Sequence, residues 1–361
     1  MVRKVLLMVC GCLALSTVAA MAQKAGNDFK YSAPKVTLRE NGARLDGTAT
    51  EPAHISSSEL DVKALAIAFD YTQSQIQQVR AIGQVHLSLD IVGKAGAPTT
   101  HVKATSDSAT LNPTKRELIL EGNVDGYYQI GNGARTALAG TKAVLNQSSG
   151  QLNATLQGPV RLTIPPESTS NNVGALGTII ITSQNASIDQ AKGQVIFSGQ
   201  AHAVSSDSAN QFDVTAPQFT LTRSATGSID TLSTQGKTLV KIDLPPQPAT
   251  EGAKTSAIGK PTHVEVTSDA AIVSRPTSTL TFTGNVNGFY TLAPAGQAPQ
   301  RYDFSGDKAV LTQTPSTQNG SAGLNAQITG QPVTIFAPGL SFDMSGNKSD
   351  VKPTGKPGDA S

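Results

Sequence analysis

Cysteine and tryptophan are almost missing from this chain of 361 residues. The only cysteines are Cys10 and Cys12, and there is no tryptophan. Both cysteines lie in an N-terminal segment with the features of a removable leader, so the remainder has no disulfide, no thiol nucleophile and no cysteine-based metal site. The fold must be held together by packing and backbone hydrogen bonding.

Charged residues are also scarce. They make up 15% of the chain, against about 25% in an average soluble protein. The formal net charge is +2, and Arg3 and Lys4 near the N-terminus supply it. No clustered basic face of the kind that binds nucleic acid is expected. No stretch after the leader has helical periodicity, which excludes a helical bundle.

The N-terminal segment is organised like a secretory leader. A basic start is followed by an apolar run at 5–18 and by Ala20-Met21-Ala22, which is an A-x-A cleavage pattern. We therefore expect residues 1–22 to be a signal peptide and the protein to leave the cytoplasm. The alternative is a lipobox that makes Cys12 a lipidated first residue, but the apolar run continues past Cys12 and favours cleavage after Ala22.

One sequence unit returns along the chain. LILEGNVDGYYQI at 118–130 recurs as LTFTGNVNGFYTL at 280–292, and HVKATSDSATL from His101 recurs as HVEVTSDAAIV from His263. Internal repeats fix an architecture before any other signal does. The second strands of seven superimposable units are predicted at 79–91, 118–130, 152–164, 195–203, 232–242, 280–292 and 324–335.

Apolar residues fall on alternate positions in each of these strands. Period two predicts a β-strand with one buried face and one face in solvent. Shorter first strands are expected at positions such as 109–111 and 271–273, each followed by a turn rich in Asn, Asp, Pro or Gly. Each unit is therefore predicted to be a strand, a tight turn and a longer bent strand.

A glycine interrupts every second strand at the same position of the repeat. Glycine is costly inside a strand unless the backbone bends or approaches a neighbour closely. We interpret these residues as a shared bend at which each strand passes from one sheet into a facing sheet; flexibility on the solvent side is the alternative, and it does not explain the constant position. The strand-bend glycines are Gly83, Gly122, Gly158, Gly199, Gly236, Gly284 and Gly330.

Stacked units of this kind predict an all-β fold, in which repeated bent β-hairpins form two curved sheets with open ends. Segments 165–177 and 245–261 are rich in residues that favour loops. Whether one long or two consecutive units form is left open by the sequence. The predicted divisions are a signal peptide at 1–22, an N-terminal segment with an edge strand at 23–58, a first region at 59–164, a loop at 165–177, a second region at 178–338 and a largely disordered tail at 339–361.

The repeated motifs resemble the OstA-like family of lipopolysaccharide-transport proteins, which includes LptA, LptC and the N-terminal domain of LptD. The resemblance rests on an A-x-L, turn, L-x-L-x-G-N-V pattern at 109–124 and 271–286, and on Gly-Thr-Lys-Ala-Val-Leu from Gly140 and Gly-Asp-Lys-Ala-Val-Leu from Gly306. It covers residues 59–338.

The resemblance implies an elongated, open β-jellyroll, also called a β-taco. It also implies a periplasmic location and a link in a bridge that passes lipopolysaccharide through an apolar groove toward the outer membrane. The partners it implies are lipopolysaccharide or another envelope lipid, and other OstA-like proteins or further copies of the chain, joined end to end by β-augmentation near 36–38 and 333–342. The chain departs from typical members in its length and in its long loops.

The inward-facing side chains are the candidate lipid site. Shielding each acyl methylene from water stabilises by about 0.8 kcal/mol, so a slot between the sheets can hold lipid without any chemistry. A closed core, in a structural or scaffold protein of the envelope, is the alternative for the same residues. The lipid-groove candidates are Leu118, Leu120, Val124, Tyr128, Leu152, Leu156, Val160, Leu162, Val195, Phe197, Leu280, Phe282, Val286 and Tyr290.

Residues suited to catalysis or metal binding are not grouped in the sequence. The five histidines lack close metal-ligand spacing, and the repeat-equivalent Asp107 and Asp269 are expected to cap turns. A carbohydrate-active β-helix would need carboxylates clustered on one face, whereas the acids here are scattered. We therefore expect no enzyme, no metal site and no cofactor.

Overall fold

The computed structural model describes about 70% of the chain. None of the described residues belongs to a helix, so this part of the chain contains no helix able to cross a membrane. The expectation of an all-β chain of bent hairpins is confirmed. The described residues are 30–72, 75–92, 98–148, 151–165, 178–205, 211–224, 229–243, 260–274, 276–277, 279–293, 298–314, 323–336 and 348–350.

Strands follow one another with short connections in the first part of the chain. Their side chains alternate between buried and exposed, as the period-two pattern predicts. These strands are β1 Lys30–Ser32, β2 Lys35–Arg39, β3 Gly42–Asp46, β4 Ala53–Ser56, β5 Leu60–Ala64, β6 Ala66–Thr72, β7 Gln75–Ile91, β8 Thr100–Asn112, β9 Glu117–Ile130, β10 Thr136–Ser148 and β11 Gln151–Ile164.

The second part of the chain repeats the same organisation. Two of its predicted strands are each divided at the bend glycine, because Gly236 and Gly330 fall between strands. The strands are β12 Ile179–Asp189, β13 Gln194–Ser205, β14 Gln211–Arg223, β15 Ile229–Gln235, β16 Thr238–Asp243, β17 Lys260–Ser268, β18 Ala270–Ser274, β19 Thr279–Ala293, β20 Gln300–Thr314, β21 Gly323–Thr329, β22 Thr334–Phe336 and β23 Lys348–Asp350.

The chain divides into two compact units. Unit 1 comprises Met1–Val160 with Ser187–Ala191, and unit 2 comprises Arg161–Ala186 with Lys192–Ser361. The predicted leader and most of the predicted loops at 165–177 and 245–261 lie outside the described residues. In the predicted tail, β23 pairs with β21.

Several long strands change a partner near their middle, whereas β8 and β9 pair with each other along their whole length. The first half of β7 pairs with β6 and the second half with β5, and β19 likewise pairs first with β18 and then with β17. The pairing is antiparallel throughout these ladders. Each unit therefore contains two ladders that share their long strands, and we call the crossing point of each strand its corner.

A β-bulge marks the corner. Gly122 (φ +76°) and Asn123 (φ +46°) both adopt the left-handed conformation, and the register between β8 and β9 shifts at this point. Glycine reaches this conformation without strain and asparagine tolerates it. The extra residue bends the strand, so the Gly-Asn and Gly-Gln dipeptides of the repeat encode the turn from one ladder to the other.

Two details differ from the sequence expectations. β8 is longer than the first strand expected at 109–111, because the residues before Ala109 also alternate and β8 itself passes through a corner; Val102 and Ala104 are buried with Ala109. β18, at the expected position 271–273, is short beside β19, as predicted. Gly330 also departs from the other six bend glycines, since only those six have a φ in the left-handed region.

Candidate functional site

The candidate groove residues lie on the inner faces of the two units. All except Leu280 and Tyr290 are buried, with a relative exposure of 7% or less, and those two are half-buried. Leu152, Leu156 and Val160 belong to unit 1, whereas Leu162 on the same strand belongs to unit 2. In the conformation described, these side chains are therefore covered by protein.

In unit 1 large and small side chains alternate across neighbouring strands. Leu120 lies between Ala109 and Ala143 in the ladder formed by β8, β9 and β10, and Val124 lies opposite Gly140. The repeated A-x-L motif produces this arrangement, because each alanine leaves room beside a larger neighbour. The result is a continuous row of apolar side chains across the neighbouring strands.

Unit 2 reproduces the row with larger residues. Phe282 lies between Ala271 and Ala309, and Val286 faces Gly306. On neighbouring strands, Phe197 pairs directly with Phe219 and both rings are fully buried. The structure thus brings the candidate residues of each unit together on one inner face, as alternation predicts.

Two tyrosines stack on the inner face beyond the corner of unit 2. The rings of Tyr290 and Tyr302 are 5.0 Å apart between centroids and nearly parallel, and the Tyr302 hydroxyl donates to Gln300 Oε1 over 2.9 Å. Burial raises the pKa of Tyr290 above its ordinary value, and the adjacent Tyr302 adds to the shift. The surroundings thus favour the neutral phenol, as expected for a side chain facing apolar material.

Several charged side chains on the outer faces are paired. Histidine–aspartate contacts join neighbouring strands at His54–Asp61 (2.8 Å), His101–Asp90 (2.7 Å), His202–Asp213 (2.9 Å) and His263–Asp243 (2.5 Å). Sequence reasoning missed these pairs, because the partners of a histidine are set by strand register. No group of three or more candidate ligands is arranged for a metal among the described residues.

The acidic residues expected to cap turns lie at corners instead. Asp107 accepts a hydrogen bond from Asn123 Nδ2 over 3.0 Å, and Asp269 accepts one from Asn285 Nδ2 over 2.7 Å. A carboxylate therefore holds the left-handed asparagine at two repeat-equivalent corners. Their equivalence in the sequence was visible, but the strand bend that gives them this role was not assigned to them.

Comparison with known proteins adds one resemblance at the level of structure. One match is a periplasmic transport component. It is LptH of Pseudomonas aeruginosa, described as the LptA-homologous periplasmic component of a lipopolysaccharide transport device, and the similarity has a TM-score of 0.28 and 12% sequence identity. The match covers 34% of this chain and 79% of LptH. No family model matches the chain, and no curated protein matches it.

Proposed function

We propose that the protein is a periplasmic, non-enzymatic carrier that binds acyl chains of lipopolysaccharide, or of a related envelope lipid, between its two ladders. The observation that carries this proposal is the continuous apolar inner face, built from the same A-x-L and L-x-G-N-V elements in both units. Similar sites repeated along one face allow a lipid to move between neighbours of nearly equal affinity.

The energetics favour such a site when the inner faces separate. Each acyl methylene removed from water contributes about 0.8 kcal/mol, whereas opening exposes apolar side chains that are now covered by each other. Binding is favourable when the lipid replaces the lost contacts. A scaffold protein of the envelope without a ligand is the competing function, and it predicts that the inner faces stay closed.

The test is native mass spectrometry of the purified protein mixed with lipopolysaccharide. The wild type is expected to carry lipid, and Leu280→Asp to lower the bound fraction at least about tenfold, because an unpaired carboxylate on the inner face costs more than 1.4 kcal/mol. Leu280 is suited to this change because it is only half-buried.

Asn287→Asp is the matched control. Asn287 also lies on β19 but is exposed and faces outward, so lipid binding should persist. Circular dichroism establishes that both variants are folded. A wild type that stays free of lipid, or equal binding by both variants, would favour the scaffold function.

We further propose that carriers associate end to end, with copies of the chain or with similar jellyrolls, through terminal strands. β2 presents Val36 and Leu38 with 47% and 48% exposure, and β22 presents Phe336 with 65% exposure. An edge strand with free backbone groups can pair with a strand of another molecule.

Removal of residues 30–39 is expected to abolish this association. Light scattering over a concentration series should show species that grow beyond two copies for the wild type and not for the shortened chain. Replacing Glu40 by Gln just beyond the deletion serves as the control. Growth that is unchanged after the deletion would exclude β2 as the contact.

A further inference from the structure

One outer face of unit 2 is nearly free of charge. Seven strands pair consecutively there in the order β13, β14, β15, β18, β19, β20 and β21. On these strands, we call the outward side chains that lie on this side of the corners the neutral face. They occupy alternate positions in 194–198, 218–222, 231–235, 270–274, 279–283 and 308–312, and the face continues on β21 with Gln327 and Thr329.

The central row of the neutral face is rich in methyl groups. Register places Ile196, Thr220, Ser233, Ile272, Thr281 and Val310 side by side across the strands. Ile272 is 44% exposed, which makes it one of the large apolar side chains most open to solvent in the described chain. β18 is the middle strand of the seven, so Ile272 lies at the centre of the face.

Hydroxyl and amide groups surround this row. The row on its far side consists of Gln194, Thr222, Thr231, Ser274, Thr279 and Thr312. The row next to the corner contains Ser198, Gln218, Gln235, Ala270, Thr283 and Lys308, of which only Lys308 is charged. A centre of β-branched side chains within a polar margin that has one charge is the composition of a protein interface with an apolar core and a polar rim.

The other surfaces do not share this composition. Beyond the corner, the outer face of unit 2 contains Lys241 and Glu265 as direct neighbours, next to Arg301 bound to Asp303. The positions of unit 1 that correspond to the neutral face contain the ion pairs Arg80–Asp70 and Lys142–Glu121. The lack of charge is therefore particular to this ladder of unit 2, although both units contain the repeat.

We propose that the neutral face binds the neutral face of a second copy of this chain, in a symmetric dimer formed by sheet-on-sheet packing. A face whose one charge, Lys308, lies at its margin can meet its own copy with little like-charge repulsion, which a highly charged face cannot. Hydroxyl and amide groups can pair with each other across the contact, so little hydrogen bonding is lost. β-sheets pack face to face through flat, branched side chains of this kind.

The size of the face fits a weak, reversible dimer. Seven strands about 4.8 Å apart and five residues along each strand give a face of roughly 30 Å by 17 Å, or about 500 Å². That area is below the ~800 Å² that each partner contributes to a standard interface, and it lies in the range of weak, transient contacts. The neutral face contains no aromatic side chain, and this makes it a poor platform for stacking against sugar rings.

A symmetric contact through the centre of the face brings Ile272 next to Ile272 of the partner. Sedimentation velocity should show a monomer–dimer equilibrium that survives high salt, since no ion pair holds it. The equilibrium should be closed in the chain without residues 30–39 and should extend to larger species in the wild type, where end-to-end association is also expected. Ile272→Lys is expected to raise the dimer dissociation constant at least tenfold, which is about the scale of a central interface residue. The chain without residues 30–39 is used in parallel to keep end-to-end association out of the measurement.

Thr110→Lys is the matched control. Thr110 occupies the position of Ile272 in the repeat of unit 1 and is also directed outward, so its replacement should leave the dimer intact. A second measurement uses protein in which Cys10 and Cys12 are absent or replaced by serine. Oxidation should then couple Ile272→Cys into a covalent dimer and leave Thr110→Cys monomeric.

Three results would overturn the proposal. These are a monomer at every concentration, a dimer that Ile272→Lys leaves unchanged while Ile272→Cys does not couple, and a monomer that an uncharged polysaccharide retains until Ile272→Lys releases it. The last result would assign the face to a glycan. A dimer weakened by Ile272→Lys and not by Thr110→Lys would support the proposal whether or not the protein carries lipid.

Discussion

Gly122→Ala is expected to lower the free energy of unfolding by about 2–4 kcal/mol. The left-handed conformation of Gly122 alone costs an L-residue roughly 1–2 kcal/mol. In addition, an added methyl group at this position would overlap the side chain of Asp107 on the neighbouring strand. Urea denaturation of the wild type and the variant measures the difference.

Two further variants separate the cost of the left-handed backbone from the cost of the overlap with Asp107. Gly133→Ala, in a turn and outside the left-handed region, should cost less than about 1 kcal/mol. Adding Asp107→Ala to Gly122→Ala removes the overlap, so part of the loss should return, at the expense of the hydrogen bond from Asn123. If Gly122→Ala is no more harmful than Gly133→Ala, the corner is not a fixed bulge in solution.

The structure of the corner was only partly predictable from the sequence. Glycine at one position of every repeat predicted a bend, and Gly122 lies at a register shift, as do its equivalents Gly83, Gly199 and Gly284. The role of the following residue was not deduced. Asn123 takes a left-handed conformation and binds Asp107, and that contact depends on which strand lies beside it, which no local pattern specifies.

The inner face was predictable for a similar reason. Alternation assigns Leu120 and Phe282 to the buried side without knowledge of the fold, because a strand has only two faces. Alternation cannot decide whether two inner faces touch each other or leave a slot, since both arrangements bury the same residues from water. The nearly charge-free outer face was also hidden, because it is assembled from strands distant in the sequence and appears only when they are in register.

Phe197→Ala is also expected to lower the free energy of unfolding by a large amount, because it removes a buried ring from the inner face. Phe197 pairs directly with Phe219, and both rings are fully buried. Truncating a buried phenylalanine costs about 3–5 kcal/mol through lost burial and the cavity that remains. Phe289→Ala is the control, because Phe289 faces outward beneath the guanidinium of Arg301 at 3.7 Å and should cost about 1 kcal/mol or less.

The same pair of variants distinguishes a permanent core from a lipid slot. If the inner faces separate to admit acyl chains, lipopolysaccharide stabilises the folded protein by mass action, and an acyl chain can occupy the space that Phe197→Ala vacates. Lipopolysaccharide should then raise the unfolding midpoint of Phe197→Ala more than that of Phe289→Ala. Equal shifts in both variants would place the lipid elsewhere on the protein, and no shift in either would favour a scaffold whose two ladders never part.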